Sequence, residues 1–529
     1  MGFVGYYHRH GLFLAAYLCC EVLFYLIYVH SIKKHANDLS KRISQPYHDY
    51  DTQRTKLFAR ILDRMEETCR RNNHSLPSYL NEYLRKWFHS VPAPPLGGVG
   101  DGAVDDSIRL SKANTIDGTE PELYREELNS FFAWAFFDSN LKELCEPWQK
   151  AQLQEMMHLL ESMTGVEYPS ANATVTKEEL TQPVMKPRRM TLEDVNPLHK
   201  PLFVYAFFWM IRQLGHLLMR YMGFQRHQIS IQCSTSGDCT KKVKHLTYWY
   251  RNGGDGSRSE TEKPILFFHG IAPGGFTLYL PMIQYAILGE SFFSKTNNLT
   301  RRPIFLFENE AITCQWTLTA LSEKESIRGI QMALKRHLND TFQETSSPNL
   351  TVLGHSFGSF QLTWLLRSEL RPCIQKFILF DPVSILLSEP DVILNFLYGR
   401  GADMALVGQS FPHSILVRLF FSSEIFIEHY LRRNFAWYNS ELWLEDIPHH
   451  IDTTIYVAEK DEIFNAKKVG IEIERINAKR RHETNAMISF KQWKGYGHGA
   501  CVVLPKIWQE IHEHVNGKRT IQGSSKKNS

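Results

Sequence analysis

The chain has 529 residues, a formal net charge of +4 and 22% charged residues. So even a balance excludes the basic footprint of a nucleic-acid binder, while the length allows one large domain and an accessory region. Nine cysteines without paired spacing exclude a disulfide framework and read as free thiols of a reducing compartment.

Gly11 to Val29 is a nearly continuous apolar run, long enough to cross a bilayer once, with Glu21 as its only formal charge. It ends in bulky Phe24-Tyr25-Leu26-Ile27-Tyr28 instead of a small-residue cleavage site, so residues 1–35 read as an uncleaved anchor and the membrane as a partner. Met1-Gly2 makes no myristoylation signal, because Tyr6 stands where Ser or Thr is wanted. Residues 36–190 alternate charged helical patterns with a loop around Pro92 to Gly102, and include a helix over Leu141 to Met163. They form a helical accessory region without recognisable chemistry. Pro183, Pro187 and Pro197 mark the passage into a larger domain, residues 191–515. Leu202 to Ile211 is apolar, but Arg212 and Arg220 interrupt the stretch after it, which predicts a docked or interfacial helix too short to span. There is no internal repeat.

The strands then come in order. Val243 to Tyr250 and Pro264 to Phe268 flank the polar loop Gly253 to Lys263; Pro303 to Phe307 follows, then a helix from Thr319 to His337 and the apolar run Leu350-Thr351-Val352-Leu353. Apolar strands alternating with helical segments indicate a mostly parallel sheet covered on both faces. Directly after the last run comes Gly354-His355-Ser356-Phe357-Gly358, a G-x-S-x-G pentapeptide that mounts a serine on a sharp strand-to-helix turn. Its glycines are expected to let the backbone turn tightly. Phe377 to Phe380 forms another strand, closed by Asp381-Pro382. Between Pro382 and Pro448 lies an insertion far longer than the about two to six residues usual for a loop in such a sheet. Apolar and aromatic as it is, with Val392 to Tyr398 and Ile415 to Phe421, it reads as a helical cap over about 383–448. Thr454 to Ala458 runs into Glu459-Lys460-Asp461, and Ile488-Ser489-Phe490 precedes Gly495-Tyr496-Gly497-His498-Gly499. Residues 516–529 form a basic tail.

This set of motifs resembles the α/β-hydrolase superfamily, in its serine esterase and lipase branch, over roughly residues 245 to 510. The resemblance implies an α/β fold with a doubly wound, mostly parallel sheet. It also implies a Ser356, Asp461, His498 triad in the order Ser, acid, His. His269-Gly270-Ile271 is similar to the family's oxyanion loop, which makes the backbone N–H groups of Ile271 and Phe357 the oxyanion donors. Asp381 is a rival acid, since some family members place the acid after that earlier strand; otherwise it reads as a turn residue before proline. His355 reads as a packing residue. A serine at 356 disfavours epoxide and haloalkane hydrolysis, which use aspartate there, and Val503 stands where acyltransferase relatives often carry the Asp of H-x-x-x-x-D. No H-E-x-x-H or paired C-x-x-C appears, so neither metal nor cofactor is expected.

The expected function is hydrolysis of a lipophilic carboxylic ester by a membrane-anchored enzyme. The alternatives are a catalytically silent binding protein on the same scaffold, or an acyltransferase using the same serine. Lys33, Lys34, Lys41 and Arg42 follow the anchor while Arg9 precedes it, which places the catalytic half in the cytosol. The terminal Lys526-Lys527-Asn528-Ser529 resembles a dilysine retrieval signal and so points to the endoplasmic reticulum. Sequons at Asn73, Asn172, Asn298, Asn339 and Asn349 are expected to go unused.

Overall fold

The computed structural model describes residues 2–39, 54–91, 123–170, 184–232, 243–253, 263–289, 302–338, 350–398, 418–484 and 486–516. Lys526 and Lys527 and the sequons at Asn172, Asn298, Asn339 and Asn349 lie outside them. In chain order the longer helices are α1 (Gly2–Ile27), α2 (Arg54–Asn72), α3 (Leu76–Lys86), α4 (Arg125–Phe137), α5 (Pro147–Thr164), α6 (Leu202–Tyr221), α7 (Glu323–Leu338), α8 (Gly358–Arg367), α9 (Ile425–Arg433), α10 (Ala466–Glu483) and α11 (Pro505–Asn516). The strands are β1 (Phe88–Val91), β2 (Val184–Pro187), β3 (Gln225–Gln232), β4 (Val243–Arg251), β5 (Ile265–Phe268), β6 (Ile304–Glu308), β7 (Leu350–His355), β8 (Ile374–Phe380), β9 (Asp452–Ala458) and β10 (Ser489–Trp493).

The chain divides into two compact units: residues 1–34, 198–385 and 442–529 form one, and residues 35–197 with 386–441 form the other. The first unit is built on a single sheet of order β10-β9-β8-β7-β5-β6-β4-β3. Strands β5 to β10 pair in parallel, whereas β4 runs antiparallel to both β3 and β6. This is the α/β-hydrolase strand order, with the crossover at β5 and β6. The central strands β5, β6 and β7 are buried along their whole length, which is why they read as continuous apolar runs with no alternation. One face buries Ile265, Phe267, Leu306 and Leu353 against Ile507, Trp508 and Ile511 of α11. On the other, α7 packs on β3 and β4, and α8 on β5 and β7. Strand β3 was not expected: Gln225-Arg226-His227-Gln228 is too polar to announce it, and its pairing with β4 over eight residue pairs carries it instead.

Helix α6 also exceeds its expectation, running through Arg212 and Arg220 to Tyr221. Arg212 does not break it because its guanidinium donates to the buried Glu308 carboxylate at 2.8 Å, so the charge is paired inside the fold.

The second unit joins the accessory helices to the inserted segment. Its core is aromatic, with Phe58, Phe132 and Phe136 in edge-on contact and Trp437 of the insertion against Phe136 at 5.9 Å. A small apolar cavity lies among these rings, lined by Phe58, Phe132, Phe136 and Trp437. Buried charges hold the insertion in register: Arg64 donates to Glu441 at 2.8 Å and to Ser388, while Arg432 bridges Glu428 and Glu193.

Candidate active site

Between the end of β7 and the start of α8, Ser356 takes φ +50°, a left-handed conformation that a residue with a Cβ adopts at a cost of about 1–3 kcal/mol. Its N–H is anchored to the Phe380 carbonyl at 2.9 Å. Gly354 and Gly358 have no positive φ. A Cβ on Gly358 would strike the Phe268 carbonyl oxygen, and one on Gly354 would lie 2.9 Å from Leu362 and 3.0 Å from the Gly358 carbonyl oxygen. This corrects the sequence reading of the pentapeptide: the serine bears the turn, and the glycines permit the close approach of strand, helix and loop.

Ser356 Oγ lies 2.8 Å from His498 Nε2, and His498 Nδ1 lies 2.6 Å from Asp461 Oδ2. With Nδ1–H donating to the carboxylate, Nε2 is left to accept the serine proton. Asp461 Oδ1 accepts from the N–H groups of Ile463 and Phe464, which hold the carboxylate in place. Burial would push the His498 pKa down, but the charge and hydrogen bond of Asp461, then Asp381 and Glu462, push it up to about 9. Glu462 also accepts the His498 backbone N–H at 2.9 Å.

Asp381, the rival acid, is fully buried and makes a different set of bonds. Its two oxygens accept the Ala458 N–H at 2.7 Å and the Gly499 N–H at 2.9 Å. One carboxylate thus ties the end of β9, which leads to Asp461, to the residue following His498. Burial, and after it the charge of Asp461, lift its pKa to about 7.

Of the oxyanion candidates, Ile271 follows Gly270, whose missing Cβ would lie 2.9 Å from Ser356 Cβ. The neighbouring N–H groups are occupied, Gly270 donating to Tyr279 Oη at 2.8 Å and Ala272 to the Ile312 carbonyl at 3.1 Å. Phe357 stands at the N-terminus of α8, where the helix dipole favours negative charge. His269 Nδ1–H donates to the Gly270 carbonyl and its Nε2 accepts from Asn309 N–H. Burial first, and Arg212 as well, lower its pKa to about 4 in spite of the Gly270 bond, so it stays a neutral strut.

Tyr279 is a residue the sequence reading missed. Its hydroxyl accepts the Gly270 N–H and lies 2.7 Å from His355 Nδ1, linking the candidate oxyanion loop to the residue before Ser356. It stands nine positions after Gly270, with no motif to mark it. His355 is buried, and that burial, followed by the charge of His498, keeps its pKa well below the usual imidazole range.

Among the described residues, two groups of donor-type atoms gather within 4.8 Å, one of His355, Asp381 and Cys501, the other of Asp381, Asp461 and His498. Neither has the chemistry of a metal centre. Both Asp381 oxygens are spent on backbone N–H groups and both His498 nitrogens are engaged, while burial holds the Cys501 thiol well above its usual pKa and away from the thiolate a metal would need.

No family model and no curated protein matches the chain. Similar solved structures include Lpx1, a peroxisomal α/β-hydrolase of Saccharomyces cerevisiae, at 12% identity over 55% of this chain and 87% of that one, with a TM-score of 0.36. A membrane phospholipase A is 14% identical over 60% and 94% of the two chains, TM-score 0.34. A thermostable esterase of Pseudomonas putida is 13% identical over 58% and 93%, TM-score 0.34. At these identities no residue role is carried over from them.

Proposed function

We propose that the protein is a membrane-anchored serine hydrolase that cleaves a lipophilic carboxylic ester through Ser356, His498 and Asp461. The observation that carries this reading is the continuous hydrogen-bonded chain from Ser356 Oγ through His498 to Asp461, at 2.8 Å and 2.6 Å, on a strained serine. In the first half-reaction His498 Nε2 takes the Ser356 proton as Oγ attacks the ester carbonyl carbon, and Asp461 stabilises the imidazolium so formed. The oxyanion collects its negative charge beside the N–H groups of Ile271 and Phe357. His498 then returns the proton to the departing alkoxide, which leaves as the alcohol and an acyl-Ser356. Water, deprotonated by His498, attacks the acyl carbon; the acyl C–Oγ bond then breaks, His498 returns the proton to Ser356 Oγ, and the carboxylic acid leaves.

The anchor reading draws on α1, whose apolar length is enough to cross a membrane, and on the clustered lysines that follow it. These charges favour a cytosolic hydrolase domain, and the terminal Lys526-Lys527 favours the endoplasmic reticulum. Of the sequons only Asn73 lies among the described residues, and it is exposed.

A fluorophosphonate probe tests the chemistry without knowledge of the substrate. Wild-type protein should label and Ser356→Ala should not, with an unchanged thermal melt for the variant. Equal labelling of both, or undiminished ester hydrolysis by Ser356→Ala, overturns the assignment.

A further inference from the structure

Helix α6 wears its apolar side outward. Its exposed stripe consists of Phe203, Phe207, Met210, Leu214, Leu217 and Tyr221, with Trp209 beside it at 65% exposure. Those positions recur every three or four residues, so they form one face, and Arg220 is the only exposed charge on the helix. The inward face is the more polar one. Arg212 there pairs with Glu308, and the His216 ring lies 5.0 Å from that of Trp249. A surface helix in water has the opposite arrangement, because exposing large apolar side chains while burying a guanidinium gains nothing from the solvent. A patch of this extent marks a partner surface.

The neighbouring element identifies the partner. The carboxylate of Glu21, the one formal charge in the apolar run of α1, accepts the Leu202 N–H at 2.9 Å and the Phe203 N–H at 3.4 Å, and so caps the start of α6. Phe24 of α1 packs on Tyr205 of α6 and on Trp316, which is itself 55% exposed. The stripe is therefore continuous with the exposed apolar surface of α1, from Leu12 to Ile27. Contrary to the sequence expectation, the helix is long and apolar enough to cross a membrane, but Arg212 pairs with Glu308 inside the fold and Thr277 packs against Gly215, which holds α6 to the domain.

We propose that α6 lies flat in the interface of a lipid bilayer with this stripe among the acyl chains, an extension of the membrane-anchored reading above. Trp209 and Tyr221 then sit where amphipathic rings are favoured, between headgroup and hydrocarbon. The position has a consequence for the site. Thr277 Oγ1 lies 2.9 Å from the Gly274 carbonyl oxygen and 3.2 Å from that of Ile211, and fills the space that Gly215 leaves by lacking a Cβ, so α6 packs against the turn Gly275–Tyr279. That turn carries Tyr279, whose hydroxyl holds the Gly270 N–H next to the candidate oxyanion donor. The bilayer surface and the reacting serine thus share one support, and the ester substrate reaches the site from the lipid phase.

The test uses full-length protein in phosphatidylcholine vesicles, with p-benzoylphenylalanine placed singly at Phe203, Phe207 or Leu214 and each variant's melting temperature checked against wild type. Irradiation followed by mass spectrometry should show phosphatidylcholine adducts at all three, as at a Leu18 control in α1, and at least tenfold fewer at the exposed Lys324. Adducts to protein, from a second copy or another segment of this chain, overturn the proposal, as does the absence of lipid adducts while Leu18 yields them. The readout is independent of catalysis. Lipid adducts with an unreactive Ser356 would sustain the docking surface and sink the esterase reading; a probe-reactive Ser356 without lipid adducts at α6 would do the reverse.

Discussion

Of the carboxylates around His498, Asp461 and Asp381 stand at the ends of neighbouring strands, and only their hydrogen bonds separate their tasks. Asp461 accepts the imidazole Nδ1–H, whereas Asp381 spends both oxygens on the backbone N–H groups of Ala458 and Gly499. Asp461→Asn would present an amide that can stabilise the wrong tautomer, and kcat should fall by about 10⁴-fold, as at other triad aspartates. Asp381→Asn should cost far less in rate but move the pH profile, because the Asp381 charge helps hold the His498 pKa up near 9. The sign comes from the role: the base must be neutral, so kcat/KM rises as pH rises through the His498 pKa. Removing a neighbouring negative charge lowers that pKa and shifts the rise to lower pH. Turnover of a water-soluble ester between roughly pH 5 and 10 checks it; a midpoint unmoved by Asp381→Asn would remove Asp381 from the electrostatics of the base.

Elements meet most tightly where glycine is required. Gly358 at the start of α8 rests on the Phe268 carbonyl of β5, so Gly358→Ala forces a backbone shift costing about 1–3 kcal/mol or more and displaces Ser356 with it. Thermal melting and probe labelling should fall together; a fully labelled Gly358→Ala protein would show that the elbow has slack. In the second unit the insertion depends on a buried ion pair. Arg64→Met leaves the Glu441 carboxylate inside without its partner, and should destabilise that unit by about 3–5 kcal/mol in denaturant unfolding. A loss below about 1 kcal/mol would mean that water replaces the guanidinium.

For the whole molecule, the proposed anchor, the outward apolar stripe of α6 and the proposed chemistry converge on a substrate held in lipid. Each acyl methylene buried in a dry site contributes about 0.8 kcal/mol, or roughly fourfold in kcat/KM. Esters of medium and long acids should therefore outpace acetyl esters, and equal rates across chain lengths would point to a small-ester enzyme. Protease digestion of intact microsomes, run with an endoglycosidase shift assay, addresses orientation. Digestion of the hydrolase domain without a shift is the expected result, and a protected, glycosylated domain would reverse the topology.

Strands β5, β6 and β7 were legible in the sequence because a strand buried on both faces has to be largely apolar, and that leaves an unbroken signature. Ser356, His498 and Asp461 could be singled out for a related reason: each follows a strand end in a loop whose glycines, turns or acids stand out locally. Where the signal is not local, the sequence is silent. Gln225 to Gln232 becomes a strand only because β4 offers it a register, and Arg212 stays within a helix only because Glu308, distant in sequence, receives its charge. The insertion over about 383–448 reads in the sequence as a helical cap, yet residues 386–441 of it share a core with residues 35–197 through pairs such as Arg64 and Glu441. Likewise Asp381 and Asp461 occupy equivalent places at strand ends, and no spacing rule divides their labour. The tertiary structure decided that by placing one carboxylate against an imidazole nitrogen and the other against two backbone N–H groups, since hydrogen-bond geometry depends on distances across the fold and not along the chain.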